Sequence, residues 1–165
     1  NMNPIFIAHL VADFLFQPTW LVKLKEKSIK GITIHALIHA LVLALLSMAE
    51  FPNYIILIAF IHGIIDYVKI HYFKTFFKFE LSFLIDQLIH LITLVILNDA
   101  VYLSPRFVDL NAQYLIYGLL VFFSFGVGLW NLMHIKNHPV YNFAQKTIRV
   151  FAVTLTFLIF IALAI

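Results

Sequence analysis

The stretch FLIDQLIHLITLVIL, residues 83–97, has the apolar character of a membrane-spanning helix, but it carries a carboxylate at Asp86 and an imidazole at His90. Ionisable side chains are costly inside a bilayer, where they are rare and usually functional. Asp86 and His90 are four residues apart, so a helix places both on one face, about 5–6 Å apart at Cβ. The stretch therefore predicts a membrane helix with a polar site on one side.

The whole chain has the composition of an integral membrane protein. Of its 165 residues, 63% are hydrophobic and 12% are charged, whereas soluble domains have about 45–50% and about 25%. Six apolar segments, each near the roughly 20 residues of a spanning helix, predict an all-α bundle of six transmembrane helices in a single membrane domain, residues 1–165. The predicted spans are 4–22, 32–49, 53–71, 81–98, 112–133 and 147–165.

Basic residues are concentrated in alternate loops. By the positive-inside rule, this asymmetry predicts cytoplasmic basic loops and both termini outside, with Arg106 alone on the outer side. The same clustering accounts for the net charge of +3 without a nucleic-acid partner. The expected partner is the lipid bilayer, and the sequence leaves the oligomeric state open. The loop residues are Lys23, Lys25, Lys27, Lys30, Lys69, Lys74, Lys78, Lys136, Lys146 and Arg149.

Each of the first four apolar segments carries one ionisable pair with the same i, i+4 spacing. Counting about 1.5 Å per residue from the loop lysines, most of these side chains lie about 7–15 Å inside the cytoplasmic surface. One such pair could be a local ion pair, but four pairs on helices of alternating direction predict a shared site in one layer of the bundle. The pairs are His9/Asp13, His35/His39, His62/Asp66 and Asp86/His90.

Five imidazoles and three carboxylates form the donor set of a metal site. His nitrogens and Asp oxygens suit zinc, iron or manganese, whereas soft metals prefer sulfur, and the chain contains no cysteine. Zinc is the favoured ion. Eight donors are enough for one or two ions, with some left to orient the ligands or act as a general base. The predicted ligands are His9, Asp13, His35, His39, His62, Asp66, Asp86 and His90.

Further polar residues border this layer. Gln17 lies one helical turn beyond Asp13, and Gln87 adjoins Asp86. Lys69 sits at the cytoplasmic mouth, where it would meet an anionic substrate, although an interfacial lysine also extends simply to reach water. Gln17, Gln87 and Lys69 are therefore candidate substrate-binding residues. The candidate catalytic residues are Asp13, Asp66 and Asp86, one of them as general base, together with Lys69.

The polar residues fall in four motifs: HLVADFLFQ (9–17), HALIH (35–39), HGIIDYVK (62–69) and DQLIH (86–90). Together they resemble the signature H-L-x-x-D-F-x-x-Q, H-x-x-x-H, H-x-x-I-D-x-x-K and D-Q-x-x-H of an uncharacterised bacterial family of small integral membrane proteins. The resemblance covers about residues 5–92 and implies a multi-pass protein of the bacterial inner membrane. The chain is more loosely similar to bacterial inner-membrane metal-dependent hydrolases, but it lacks their H-R-x-x-T-H element.

The site predicts a metal-dependent hydrolase that acts on an amphiphilic or lipid-like substrate at the depth of the cytoplasmic leaflet. The first alternative is a divalent metal ion transporter with the same residues as its transit site. Transporter sites often use helices broken by Gly or Pro, and in the first four segments only Gly63 suggests such a break in the middle of a span. The second alternative is a di-iron redox enzyme, since the carboxylates argue against haem. Whether the protein is an enzyme at all stays open at this point.

Overall fold

A computed structural model describes residues 4–49, 52–73, 79–100, 103–105 and 110–134, together with 154–155, 157–159 and 161–162. The described residues are almost entirely helical, which confirms the predicted all-α class. The helices are α1 (Pro4–Leu10), α2 (Thr19–Lys27), α3 (Ile29–Leu46), α4 (Pro52–Val68), α5 (Phe79–Ala100) and α6 (Leu110–His134). π-Helical segments extend α1 (Val11–Leu15) and α4 (Lys69–Phe73), and short strands β1 (Ser47–Ala49) and β2 (Leu103–Pro105) follow α3 and α5.

The first predicted span, residues 4–22, does not form one continuous helix. The helical run ends at Leu15, and Phe16 adopts φ −101° and ψ 17°. Pro18 explains the break, because proline has no N–H to donate and disfavours helical geometry in the residue before it. Beyond Pro18, α2 is bent by 96° from the first segment. The chain therefore turns by about a right angle where a straight span was expected.

Ser28 forms the turn between α2 and α3. Its side-chain oxygen accepts a hydrogen bond from the Gly31 N–H at 3.4 Å and so caps α3, while its hydroxyl donates to the Leu24 carbonyl at 3.2 Å. Gly31 is needed here, because a Cβ at this position would overlap the backbone of Leu24 and Lys25. The turn thus holds α2 directly against the first turn of α3 and fixes the position of Lys25.

The second predicted span, residues 32–49, ends earlier than expected. α3 stops at Leu46, and Ser47–Ala49 pair with Leu103–Pro105 in an antiparallel ladder. This ladder joins the end of α3 to the segment that follows α5. The two helices therefore end on the same side of the bundle, as helices of alternating direction require.

Tyr117 of α6 ties a third element to this end of the bundle. Its side chain is fully buried, and its hydroxyl donates a hydrogen bond to the Leu46 carbonyl at 2.8 Å. The carbonyls in the last turn of a helix have no partner within the helix. The phenol supplies one for α3.

Tyr117→Phe is expected to lower the free energy of unfolding by about 1–2 kcal/mol, because a buried carbonyl loses its donor. Thermal unfolding of the detergent-solubilised protein measures this change. Tyr114→Phe is the matched control, since Tyr114 lies on the same helix and is exposed. Equal stabilities of the two variants would contradict this role of the hydroxyl.

The outward faces of the helices are apolar, and the His and Asp side chains of α3 and α4 lie on the inward faces. On α3, Leu37, Leu41 and Leu45 are 58–63% exposed, whereas His35 and His39 are buried. This pattern is the reverse of a water-soluble helix and suits a lipid environment. The protein is therefore membrane-associated. The same division on α4 leaves Ile56, Phe60 and Ile64 exposed, with His62 and Asp66 buried.

Two helices in the described part of the chain are long and apolar enough to cross a bilayer, Ile29–Leu46 and Pro52–Tyr72. The bent pair Pro4–Leu15 and Trp20–Lys27 adds a third if both halves belong to one span. The structure thus supports two or three spans, and the six predicted from the sequence go beyond it. The predicted sixth span, 147–165, lies largely outside the described residues.

Candidate metal centre

The innermost element of the bundle is α1. All residues of Pro4–Leu10 are buried, and α1 contacts α3, α5 and α6. His9 lies near its end, and Asp13 lies in the π-helical segment that follows. Such π-helical turns are rare and occur frequently at functional sites. The sequence therefore folds so that both polar residues of the first motif lie in the middle of the bundle.

Asp13 is the point where imidazoles from three helices meet. Its Oδ1 accepts hydrogen bonds from Nε2 of His39 at 2.9 Å and from Nε2 of His35 at 3.0 Å. His62 Nε2 lies 3.7 Å from the same oxygen, and His9 Nε2 lies 3.6 Å from Oδ2. Four ring nitrogens thus surround one carboxylate, which is more than the two that form the hydrogen bonds given above.

The imidazole rings also contact one another. His39 stacks on His62 with ring centroids 3.5 Å apart, and His62 lies 4.4 Å from His90. His9 lies 4.9 Å from His90, which connects α1 to α5. The histidines of α1, α3, α4 and α5 therefore form one continuous cluster, as the sequence predicts for a converging site.

Asp66, on α4, faces this cluster from the side nearest α2. Its Oδ2 lies 2.5 Å from Lys25 Nζ, 3.5 Å from His62 Nε2 and 3.6 Å from His35 Nε2. Asp66 is 3% exposed and Lys25 is 8% exposed. The ammonium group of α2 therefore reaches the interior of the site, where it offsets the charge of a buried carboxylate.

Asp86, on α5, makes the corresponding contacts at the far side of the cluster. Its Oδ2 accepts hydrogen bonds from Lys69 Nζ at 2.5 Å and from Gln87 Nε2 at 3.3 Å. His90 Nδ1 donates to the Asp86 backbone carbonyl at 2.9 Å. This bond places a proton on Nδ1, so in the neutral imidazole the lone pair of His90 is on Nε2.

The donor atoms are close enough together to hold metal ions. The residues form three groups that overlap in part. Within each group, the ligand atoms lie within 4.8 Å of one another. The first and third groups share no residue, so each could hold its own ion. The groups are His9, Asp13, His39 and His62; His35, His62 and Asp66; and Asp66, Asp86 and His90.

Two nitrogens show that these residues fit a divalent ion. Nε2 of His62 and Nε2 of His90 are buried and have no hydrogen-bond partner among the described residues. A buried polar atom without a partner costs about 1–3 kcal/mol. Imidazole nitrogens beside carboxylate oxygens are also the usual ligands of zinc, iron and manganese. A bound ion would supply the partner that each nitrogen lacks.

The structure brings the eight predicted ligands together in one cluster, and their function as ligands stays a prediction. Gln17 Nε2 lies 2.9 Å from His35 Nε2, so both predicted glutamines contact site residues. Lys69 pairs with Asp86 instead of only extending to the membrane surface. His71 is exposed and bonds to the Tyr67 carbonyl, outside the cluster.

Lys25 is the site residue that the sequence argument misses, because it sits among the loop lysines of the positive-inside count. The clue available in the sequence is its spacing from Leu21. The two residues are four positions apart on α2 and both are buried, whereas Lys23 and Lys27 are exposed. If the segment after Pro18 is treated as an amphipathic helix, this spacing predicts that Lys25 faces the interior of the bundle.

One known protein family matches the part of the chain that contains this site. The model of the family described as "Protein of unknown function (DUF3307)" matches residues 2–117. The chain belongs to this family. The DUF3307 match includes all the site residues named above and ends within α6. No curated protein and no solved structure matches the chain. Membership confirms the predicted uncharacterised family, whereas the bacterial origin and the motif signature stay predictions.

Proposed function

We propose that this protein is an integral membrane metalloprotein whose His/Asp cluster holds one or two divalent ions. The observation that carries the proposal is the pair of buried nitrogens, His62 Nε2 and His90 Nε2, which have no hydrogen-bond partner among the described residues. The residues His62 and His90 belong to different donor groups, the first and the third, which share no residue. This division supports two ions. Zinc is favoured, and iron or manganese would also suit the donor set.

The favoured activity is hydrolysis of an amphiphilic or lipid-like substrate. A bound divalent ion supplies a Lewis acid and an activated water. A carboxylate oxygen that is not used as a ligand would accept the proton of the attacking water. Asp13, Asp66 and Asp86 are the candidates for this role, because they are the carboxylates of the cluster. Lys69 and the amides of Gln17 and Gln87 would orient the substrate.

The cellular setting is part of the same proposal. A multi-pass protein of the bacterial inner membrane, with six spans and both termini outside, is supported by the loop lysines and the apolar outward faces. α5 and α6 have 22 and 25 residues, which exceeds by length alone the roughly 20 residues of a span. The β1–β2 ladder supports the alternating direction of the helices.

The break at Pro18 favours a second candidate, a divalent metal ion transporter. Discontinuous helices beside a buried site are typical of transporters, and here the break follows Asp13 by five residues. A lack of breaks in the middle of the predicted spans would disfavour transport, and the bend in the first span removes part of that objection. A di-iron redox enzyme stays a further alternative on the donor set alone.

Metal analysis tests the proposed function. We expect protein purified without added metal to contain one to two equivalents of zinc, iron or manganese by mass spectrometry. The double variant His62→Ala, His90→Ala should lose most of it, because both donor groups lose a nitrogen. His71→Ala is the control, since this histidine is exposed. Wild-type protein without stoichiometric metal would overturn the proposal, and flux of the ion through reconstituted liposomes would favour the transporter.

A further inference from the structure

Two lysines flank one end of the candidate metal centre. Lys25 Nζ lies 2.5 Å from Asp66 Oδ2, and Lys69 Nζ lies 2.5 Å from Asp86 Oδ2. Both carboxylates belong to the donor group completed by His90, whose ligand atoms lie within 4.8 Å of one another. The two lysine side chains are 10% and 29% exposed, so one is interior and the other reaches the outside.

The net charge of the cluster would change sign if metal ions bound. Three carboxylates and two ammonium groups leave one negative charge. Two divalent ions would convert this to three positive charges in an environment that penalises uncompensated charge. The ions would also bind Asp66 and Asp86, which frees Lys25 and Lys69 from their present partners. A loaded site of this kind needs an anion with more than one charge.

We propose that Lys25 and Lys69 form the binding site for the phosphate group of a phosphate monoester, an inference that rests on the metal centre of the proposed function. A phosphate monoester carries up to two negative charges and offers three oxygens to ammonium groups and ions. A carboxylic ester or an amide has no charge to match. Hydrolysis would break the P–O bond to the alcohol. One hydrogen of the water would go to the alcohol, and the remaining hydroxyl of the water would go to the phosphorus, which gives inorganic phosphate.

Two exposed aromatic side chains precede Lys25 in the sequence, and they suit a substrate that also has an apolar part. Phe16 and Trp20 are 48% and 59% exposed, at the bend and at the start of α2. Tryptophan is enriched at the level of lipid headgroups. The phosphate could belong to a lipid or to a soluble molecule, and the two sources share the same recognition chemistry.

Phosphate binding by the full-length, metal-loaded protein in detergent tests the inference. Inorganic phosphate is titrated by calorimetry into wild type, Lys25→Met and Lys69→Met, with the metal content of each sample measured. We expect Kd to rise by about tenfold or more in both variants, because each loses a charge-assisted hydrogen bond. Lys27→Met is the control, since Lys27 is exposed on the same helix as Lys25. Chelator-treated wild type should bind no phosphate.

The outcomes separate the two proposals. Unchanged phosphate affinity in metal-replete Lys25→Met and Lys69→Met overturns the phosphate site and leaves the metal centre standing. Wild type without metal overturns the metal centre and the phosphate site together. Retained binding in Lys25→Arg and Lys69→Arg supports the need for positive charge. Competition by nanodiscs containing phosphatidic acid, but not phosphatidylcholine, supports a lipid-borne phosphate, and no competition by either nanodisc supports a soluble monoester.

Discussion

Asp13→Ala protein is expected to purify with at most half of the metal of the wild type. Asp13 is the only carboxylate in the donor group that also contains His9, His39 and His62. Its loss leaves only neutral imidazoles in this group, and these cannot compensate the charge of the ion. The affinity should therefore fall by more than the roughly 10–100-fold that removal of an outer partner causes. Mass spectrometry of the purified protein, followed by competition with a chromophoric chelator, measures both quantities.

Two further variants give this experiment its controls. Asp99→Ala removes an exposed carboxylate from α5 and should leave the metal content unchanged. His90→Ala removes a ligand of the other independent group, so it should lose the second ion and keep the first. A metal content in Asp13→Ala equal to that of the wild type would show that Asp13 is not a ligand. Loss of both ions in each variant would show that the two groups bind cooperatively.

The convergence of the site was predictable because it depends on local spacing. An i, i+4 pair shares one face of a helix in any tertiary setting, and an ionisable face cannot turn towards lipid without a large cost. Four such faces in one membrane bundle have only the interior left. For this reason His35, His39 and His62 lie around Asp13 as expected.

The break at Pro18, the β1–β2 pairing and the inward position of Lys25 depend on features that the i, i+4 spacing does not encode. Apolar content alone cannot separate a straight span from the run broken at Pro18, so residues 4–22 appear continuous in the sequence. The pairing of Ser47–Ala49 with Leu103–Pro105 joins segments more than fifty positions apart. The inward position of Lys25 follows from that break and from the turn at Gly31. The position of Lys25 among the loop lysines does not predict an inward side chain, because it takes account of neither the break nor the turn.

Lys25→Met is expected to destabilise the metal-free protein by about 3–5 kcal/mol, because it leaves Asp66 as a buried charge without its cation. Asp66 is 3% exposed, so water cannot replace the ammonium group. In the metal-loaded protein the loss should be much smaller, since an ion bound to Asp66 compensates the same charge. Denaturant unfolding with chelator and with added metal measures the two values.

Lys23→Met is the matched control, since Lys23 lies exposed on the same helix, and its stability should match the wild type under both conditions. The double variant Lys25→Met, Asp66→Asn should recover most of the loss in the metal-free protein, because the uncompensated carboxylate is gone. It should gain no stability from metal at this position. If Lys25→Met is destabilised equally with and without metal, Asp66 does not bind an ion. The ion pair would then serve only to attach α2 to the bundle.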